Sequence, residues 1–186
     1  MYVLTGGASS RFGADKANHP VDGEPWAVHV GRRLAADGSF TLVGDVAVDA
    51  PGVRRIVEGC PGFGPLGGVA AACRDRFEAS GGGWLVVASC DLVRPTRDWL
   101  TPLRDATKAT ALAVAYRDRE RWQPMPLIAH TRWADCLEAT LESGDRSLQT
   151  ALTASAAVPV VWPGPGVTPP QANTRRELEG LLASME

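Results

Sequence analysis

A short loop close to the first residues of the chain carries the residue types that hold phosphate groups. Two adjacent glycines, Gly6 and Gly7, follow an apolar segment and permit a sharp turn that brings backbone N–H groups close to a ligand. Ser9 adds a hydroxyl donor, and Arg11 and Lys16 add fixed positive charge. An apolar strand followed by a glycine turn, a hydroxyl and two cations is typical of a phosphate-binding loop.

The spacing of this loop excludes two common nucleotide-binding motifs. The Walker A pattern G-x-x-x-x-G-K-[ST] is absent. The dinucleotide pattern G-x-G-x-x-G is also absent, because the next glycine after Gly6 and Gly7 is Gly13. An ordinary turn would account for the paired glycines, but it would leave Arg11 and Lys16 as coincidences.

A carboxylate follows a nearly continuous apolar segment in the middle of the chain. Residues 84–88 read Trp-Leu-Val-Val-Ala, as a central parallel strand should, and Asp91 comes shortly after them. Open α/β sheets bind ligands at the carboxyl ends of such strands, and a carboxylate oxygen is a hard ligand for a divalent cation. The alternative is that Asp91 caps the next helix, although Thr96 is better placed for that role. We therefore predict a metal ion at Asp91.

Strands and helices alternate along the chain around these residues. Trp26, Val30 and Leu34 recur every four residues, which predicts the apolar face of a helix. Thr174 and Glu177 have the spacing of a capping box at the start of another helix. Such alternation predicts an α/β fold with a parallel sheet and right-handed crossovers. Strands are predicted at residues 2–4, 40–43, 54–57, 84–88, 108–116, 122–129 and 158–162.

A loop at residues 58–68 contains five glycines and two prolines. This composition suits a close approach of the backbone to a flat ligand. It equally suits a tight junction before the small-residue helix predicted at residues 69–73, and the sequence leaves both readings open.

The composition restricts the class of protein. A chain of 186 residues is long enough for one α/β domain with a sizeable core, so we expect residues 1–186 to form a single domain. A hydrophobic content of 45% argues against disorder, and a net charge of −2 argues against nucleic-acid binding. The four cysteines form no C-x-x-C pair, so we expect a reducing, cytoplasmic location without a metal cluster. We expect no signal peptide and no membrane span.

The loop has the spacing L-x-G-G-x-S-x-R-x-G-x-D-K, which resembles the signature loop of nucleotidyltransferases that activate sugars, alditols and pterins. Further segments resemble the molybdenum cofactor guanylyltransferase family in order along nearly the whole chain: D-G-x-P, G-P-L-G-G, C-D, Q-P, G-x-R-S-L and N-T-x-x-E-L. The resemblance implies a Rossmann-like nucleotidyltransferase fold, with a mostly parallel central sheet and helices on both faces. It also implies magnesium-dependent transfer of the guanylyl group of GTP to molybdopterin or molybdenum-molybdopterin, with release of pyrophosphate.

The resemblance also assigns roles to residues. Arg11 and Lys16 are expected to hold the triphosphate and the leaving pyrophosphate, and Asp91 to bind Mg2+, which makes these three the expected catalytic residues. The charged turn from Arg117 to Arg121 resembles the acceptor-side hairpin of the family, with a purely solvated turn as the alternative. Cofactor-insertion and acceptor proteins are possible partners. The residues expected to contact the nucleotide lie in the signature loop and at Asp91: Leu4, Thr5, Gly6, Gly7, Ser9, Arg11, Lys16 and Asp91.

The chain departs from the family pattern at several positions. The family usually has Asn after the second strand, where this chain has Gly44 followed by Asp45. It commonly has Asp in the next loop, where this chain has Gly59. Asn173 is retained in the late segment, but that segment reads Gln-Ala-Asn-Thr-Arg instead of N-x-N-T-P. These departures concern the contacts to the base and to the acceptor more than the phosphate loop.

Two other functions remain open on the sequence. A cytidylyltransferase acting on molybdopterin or another small phosphate or alcohol would share the fold, but relatives that use CTP tend to read L-A-A-G. This chain reads Leu4-Thr5-Gly6-Gly7, and a small residue at Gly7 favours a purine. A non-catalytic nucleotide-binding module is the second alternative, although a mere binder need not keep Arg11, Lys16 and Asp91 together.

Overall fold

The computed structural model describes residues 1–6, 12, 15–58, 62–119 and 121–185. The strands in this part of the chain are β1 (Tyr2–Leu4), β2 (Pro20–Val21), β3 (Glu24–Pro25), β4 (Thr41–Val43), β5 (Arg54–Ile56), β6 (Trp84–Ser89), β7 (Ala113–Asp118), β8 (Arg121–His130) and β9 (Ala157–Val160). The α-helices are α1 (Trp26–Leu34), α2 (Gly64–Ser80), α3 (Thr101–Asp105), α4 (Ala134–Glu142), α5 (Leu148–Ala154) and α6 (Arg175–Ser184). Two 3-10 turns, Arg97–Leu100 and Thr131–Trp133, precede α3 and α4.

Seven strands form one sheet in the order β5-β4-β1-β6-β8-β7-β9. β1 pairs in parallel with β4 on one side and with β6 on the other, so that Val3 lies opposite both Leu42 and Ala88. Among the described strands of this sheet, β8 alone runs antiparallel to both of its neighbours. The mostly parallel sheet expected from the sequence is therefore confirmed.

Two helical connections run in opposite directions along the sheet. α1 links β1 to β4, whereas α2 links β5 to β6, on the other side of β1. Right-handed crossovers in opposite directions place α1 and α2 on opposite faces of the sheet. The carboxyl ends of β1 and β6 therefore flank the point where the strand order reverses, which is where open α/β sheets bind ligands.

The first helix has the apolar face that the sequence predicts. Trp26, Val30 and Leu34 are all buried. The indole N–H of Trp26 also donates to the carbonyl of Leu92 at 2.8 Å. This bond ties α1 to the chain that follows β6, immediately after Asp91.

The second helix begins earlier than expected, at Gly64 instead of near residue 69. Pro65 stands in its first turn, where backbone N–H groups have no intrahelical acceptor and the missing N–H of proline therefore costs no hydrogen bond. The glycine–proline segment thus starts the helix. A Cβ on Gly68 would lie 2.8 Å from Cδ2 of Leu4. The glycines of this segment therefore let α2 approach β1 closely, and the part of the segment from 64 to 68 is not a loop.

Arg117, Asp118 and Arg121 of the charged turn belong to a β-hairpin. β7 begins at Ala113, later than expected, because residues 109–110 form a turn. β7 and β8 then pair almost to their tip, with Arg117 opposite Trp122 and Asp118 opposite Arg121.

No helix in the described ranges combines the length and the apolar character needed to cross a membrane. Cys73, Cys90 and Cys136 are free thiols, and the first two are buried.

Candidate active site

A cavity of about 220 Å³ opens at the carboxyl ends of β1 and β6. Its walls are residues 4–6, 64–65 and 89–91, together with Lys16, Glu58 and Asn173. A larger open groove of about 900 Å³ lies at the opposite edge of the sheet, beside the amino ends of β1, β4, β5 and β6. Because the glycine turn, the lysine and the carboxylate all border the smaller cavity, the smaller cavity is the candidate active site.

The turn after β1 is held against the end of β4. The backbone N–H of Thr5 donates to the carbonyl of Val43 at 2.8 Å, and its hydroxyl donates to the same carbonyl at 3.0 Å. Gly44 has a φ of +130°, and a Cβ there would lie 2.8 Å from the backbone nitrogen of Gly6. The position where the family usually has Asn thus accepts only glycine in this chain, because the two loops touch through bare backbone.

Lys16 points its ammonium group at three oxygen acceptors. Nζ donates to Oδ1 of Asn173 at 3.1 Å and to the carbonyl of Ala172 at 3.3 Å. Oδ2 of Asp91 lies 3.8 Å from the same nitrogen, and the two charged side chains are only 13% and 20% exposed. An ammonium group has three donors, and two of them are used in hydrogen bonds to Asn173 and Ala172, while Asp91 is an ion-pair partner beyond hydrogen-bonding distance.

Asp91 stands where the sequence predicts it, just beyond β6. The preceding N–H, of Cys90, donates to the carbonyl of Leu4 at 3.1 Å and joins the ends of β6 and β1. The hydroxyl of Ser89 donates to Oδ1 of Asp91, while Oδ2 accepts no hydrogen bond within the described residues. The next helical turn begins only after Thr96, whose side chain makes no capping hydrogen bond.

A segment late in the chain forms the third wall of the cavity. The N–H of Ala172 donates to the carbonyl of Asp91 at 3.0 Å, and the N–H of Val93 donates to the carbonyl of Pro170 at 3.0 Å. These two hydrogen bonds align residues 170–173 beside the chain that leaves β6. Asn173 therefore reaches Lys16 although 157 residues separate them.

Glu58 is a cavity residue to which the sequence analysis assigned no role. It is only 9% exposed, and its Oε1 would lie 2.8 Å from a Cβ on Gly6 and 3.4 Å from a Cβ on Gly68. Burial, and then the nearby charge of Asp45, raise the pKa of this carboxyl above its ordinary value. The signal for Glu58 in the sequence is its position after a short predicted strand and before Gly59, where the family commonly has Asp.

Cys90 lines the cavity as a buried free thiol. Burial raises the pKa of its thiol to about 12, so the thiolate that would be reactive is scarce at neutral pH.

The β7–β8 hairpin lies at the same edge of the sheet, because β7 runs parallel to β6 and its tip follows the carboxyl end. The guanidinium of Arg117 stacks over the ring of Trp122, 5.0 Å from its centroid. The Nε atom of Arg117 is buried and has no hydrogen-bond partner among the described residues. Gln149 from α5 holds the hairpin by accepting from the N–H of Trp122 at 3.0 Å and donating to its carbonyl at 2.6 Å. Arg119 and Arg121 are exposed.

Part of the predicted site falls outside the described residues. Gly7, Ser9 and Arg11 lie in the undescribed part of the signature loop, and Gly59 lies in another such gap. The structure does bring together Leu4, Thr5, Gly6, Lys16 and Asp91 around one cavity.

The described residues hold no group of three or more His, Cys, Asp or Glu side chains that could coordinate a metal ion. A cation at Asp91 would therefore take its remaining oxygen ligands from water or from a bound substrate. Nucleotide phosphates supply such oxygens.

Comparison with known proteins points to one family. The family described as MobA-like NTP transferase domain matches residues 1–158. A molybdenum cofactor guanylyltransferase of Cupriavidus metallidurans is 31% identical over 160 residues, which cover 80% of this chain and 77% of that protein. A probable molybdenum cofactor guanylyltransferase of Deinococcus radiodurans is 32% identical over 166 residues, which cover 88% of this chain and 83% of that protein.

A solved structure shares the fold. The crystal structure of molybdopterin-guanine dinucleotide biosynthesis protein A from Archaeoglobus fulgidus matches with a TM-score of 0.75, over 100% of this chain and 98% of that one. The two sequences are 20% identical, so this likeness concerns the α/β fold alone.

Proposed function

This chain belongs to the MobA-like NTP transferase family, and from that premise we propose that it transfers the guanylyl group of GTP to molybdopterin. It is thus a nucleotidyltransferase, and its products are pyrophosphate and the guanine dinucleotide form of the molybdenum cofactor. The observation that carries the proposal is the cluster of Lys16, Asp91 and Asn173 beside the turn at Gly6. A single domain spanning residues 1–186 and a cytoplasmic location stay predictions.

The phosphates are assigned to the loop after β1. Lys16 offers a half-buried ammonium group beside the cavity, and Arg11 offers a second cation in the same loop. We place the base and ribose against residues 4–6 and assign further nucleotide contacts to Gly7 and Ser9. Backbone N–H groups at a glycine turn bind phosphate without any side chain standing in the way.

The cofactor proposed for this reaction is Mg2+, held by Asp91. The described structure fits such an ion because Asp91 borders the cavity and its Oδ2 accepts no hydrogen bond from a described residue. A hard carboxylate oxygen is the type of ligand that Mg2+ prefers, alongside phosphate oxygens and water. When bound, the ion polarises the α-phosphate of the nucleotide.

The residues of the chain contribute position and charge to the transfer. Arg11 and Lys16 offset the charge of the triphosphate and of the leaving pyrophosphate. The acceptor is a phosphate monoester, which is close to a dianion at neutral pH and attacks without a general base. His19, His29 and His130 do not line the cavity, and the proposed reaction assigns no role to their imidazoles.

We assign recognition of guanine to Glu58. An ionised carboxylate only accepts hydrogen bonds, and guanine presents two adjacent donors, N1–H and the 2-amino group, on one edge. Cytosine presents a single amino group next to an acceptor nitrogen on the matching edge, so it satisfies the carboxylate less well. This carboxylate takes the place of the side chains that Gly44 and Gly59 lack.

The acceptor phosphate is assigned to the β7–β8 hairpin. Arg119 and Arg121 are exposed at its tip, and Arg117, in the pair next to Asp118 and Arg121, has a buried Nε without a hydrogen-bond partner among the described residues. Guanidinium groups pair bidentately with phosphate, so the hairpin suits molybdopterin or molybdenum-molybdopterin. Delivery of the product to insertion or acceptor proteins stays a prediction.

The test is pyrophosphate release with GTP, CTP or ATP, each supplied with Mg2+ and a source of molybdopterin. We expect turnover with GTP. Preferential turnover with CTP would establish the cytidylyltransferase alternative. Binding of GTP without pyrophosphate release from any nucleotide would establish the non-catalytic module.

Asp91→Asn tests the metal in the same assay. The substitution keeps the size of the side chain but removes the charge that a divalent cation requires, so we expect the rate to fall about a hundredfold or more, at roughly tenfold for each 1.36 kcal/mol. GTP binding without metal should persist. Asp105→Asn, at the end of α3 and outside the cavity, is the matched control. Turnover by Asp91→Asn at the parent rate with Mg2+ present would rule out the proposed role of Asp91.

A further inference from the structure

The acceptors around Lys16 are supplied by a segment that is itself anchored from outside the cavity. Two of the three oxygens near Nζ belong to Ala172 and Asn173, at 3.3 and 3.1 Å. The backbone of Ala172 is fixed by its own hydrogen bond to Asp91. Asn173 lies beyond this pairing, so the direction of its side chain depends on what holds its backbone.

Glu177, in the first turn of α6, holds that backbone. Its Oε2 accepts from the N–H of Asn173 at 2.6 Å and from the N–H of Thr174 at 3.2 Å. The bond from Asn173 is the largest cause of a pKa of Glu177 below the ordinary value, so the carboxyl is ionised at neutral pH. The carboxylate itself is exposed and does not border the cavity.

The capping box of α6 therefore has two halves with different targets. The hydroxyl of Thr174 accepts from the N–H of Glu177 at 3.2 Å and supports only the helix. The carboxylate of Glu177 reaches backwards, to the residue whose amide oxygen meets Lys16. An ordinary cap would serve α6 alone, whereas here one half of the cap continues into the site.

We infer that Glu177 is a positioning residue that orients Lys16 through Asn173. The inference rests on the proposed function only in treating Lys16 as the group that meets the phosphates. Without the bond from Glu177, the side chain of Asn173 loses its fixed direction and Lys16 loses one of its acceptors. Asp91 then remains the charged partner of the ammonium group.

The chain contains its own reference for measuring this effect. Lys16 and Lys108 are its two lysines, and Lys108 is exposed. Trace acetylation with an N-hydroxysuccinimide ester, followed by peptide mass spectrometry, gives the ratio of their reaction rates in a single sample. In the parent protein we expect Lys16 to react more slowly than Lys108, because its ammonium group is engaged and 13% exposed.

Glu177→Ala should raise the rate of Lys16 relative to Lys108 by about tenfold, which corresponds to the loss of one net hydrogen bond. Thr174→Ala, which breaks the other half of the same box, should leave the ratio at the parent value. Glu177→Gln should also stay near the parent ratio, because its amide oxygen still accepts from Asn173. Glu177→Asp keeps the negative charge in the first turn of α6, but its side chain is too short to reach Asn173, so it should also raise the ratio. This variant replaces Glu177→Ala in the test if Glu177→Ala fails to fold.

A ratio unchanged in both Glu177→Ala and Glu177→Asp, or raised equally by Thr174→Ala, would overturn the inference. The acetylation needs no nucleotide, so this outcome is independent of the proposed function. Binding of a fluorescent GTP analogue without metal provides the second readout, expected to weaken about tenfold in Glu177→Ala and not in Thr174→Ala. Absence of analogue binding by the parent protein, together with the expected acetylation ratios, would count against the proposed function alone.

Discussion

At the scale of single residues, the charged groups of the cavity differ in how many partners they already have. Lys16 is engaged with three oxygens, whereas Asp91 uses Oδ1 and leaves Oδ2 without a hydrogen bond from the described residues. Glu58 is buried and accepts no side-chain hydrogen bond within them. A ligand can therefore use the third donor of Lys16, which makes no hydrogen bond within the described residues, and it supplies the missing partners at Glu58 and Asp91.

Lys16→Met should have opposite effects on two ligands. It removes a charge-assisted contact to the triphosphate, worth about 1.5–3 kcal/mol, so binding of a fluorescent GTP analogue without metal should weaken about 10- to 100-fold. It also removes the cation that stands 3.8 Å from Asp91, so Mn2+ should bind the nucleotide-free protein more tightly. Titration of the analogue by fluorescence and of Mn2+ by calorimetry checks both, with Lys108→Met as the control. Unchanged analogue affinity would mean that Lys16 does not meet the phosphates.

Glu58→Gln should stabilise the protein against unfolding and reduce its selectivity for guanine. The pKa of Glu58 is higher in the folded than in the unfolded protein. The free energy of unfolding therefore falls as pH rises from the unfolded pKa, about 4, through the folded pKa. The neutral glutamine avoids that cost, so the variant should be the more stable protein at pH 7 to 8 and equal to the parent below about pH 4. Urea unfolding across this pH range is the measurement.

The same variant should discriminate GTP from CTP about 10- to 100-fold less well, because one donor of guanine then faces an amide instead of a carboxylate. Competition of the two nucleotides for binding gives this ratio. A full preference for GTP in Glu58→Gln would assign base recognition to another group.

At the scale of elements, close contacts through bare backbone define the cavity. Gly44 touches the turn after β1, and Gly68 lets α2 lie against Leu4. Both contacts bring the ends of strands and the start of a helix nearer than side chains would permit. The cavity walls are therefore as much a property of these junctions as of the charged residues.

Gly44→Ala should cost about 1–3 kcal/mol of unfolding free energy, because it combines a positive φ with a Cβ 2.8 Å from the nitrogen of Gly6. Gly52→Ala is the matched control, since Gly52 has a φ of +78° but open space around it. We expect the loss in Gly44→Ala to exceed that in Gly52→Ala in denaturant unfolding at neutral pH. Equal losses would show that backbone conformation alone, and not the contact with Gly6, requires glycine at position 44.

The sequence predicts the regular elements well and the junctions less well. The apolar repeat of α1 and the nearly continuous apolar segment of β6 are visible in the sequence, because burial of these elements requires apolar residues at many positions. The predicted start of α2 is too late, because small residues and a proline are typical of a loop. In the fold, small residues at the start of α2 allow it to pack closely on β1. The sequence does not indicate a role for Glu58, because its burial depends on contacts with Gly6 and Gly68 that only the fold brings about.

At the scale of the whole molecule, one carboxylate links three elements on the side away from the cavity. Asp75 in α2 accepts from the hydroxyl of Tyr2 in β1 at 2.8 Å and from both terminal nitrogens of Arg54 in β5 at 2.6 Å. The bond from Arg54 is the largest cause of the lowered pKa of Asp75. The side chain of Asp75 is 12% exposed, so solvent screens this link only partly.

Asp75→Asn should therefore change the acid limb of the stability curve. A lowered folded pKa gives stability that is fully present above the unfolded value and is lost as pH falls through the folded one. We expect the variant to be less stable than the parent by about 1–2 kcal/mol at neutral pH, with the gap closing below about pH 3. Chemical unfolding at pH 3 and pH 7 measures the gap, and Glu78→Gln on the same helix is the control. A gap of the same size at both pH values would show that the charge of Asp75 does not contribute.

The late wall of the cavity also sets an order of events during synthesis. Lys16 is made before Asp91, and the two oxygens that accept hydrogen bonds from its ammonium group belong to residues 172 and 173, which are made later still. Every strand of the central sheet is already made before that segment exists, since β9 ends at Val160. A growing chain can thus assemble the sheet while its charged lysine still lacks two of its acceptors, and a segment made after the sheet completes the site.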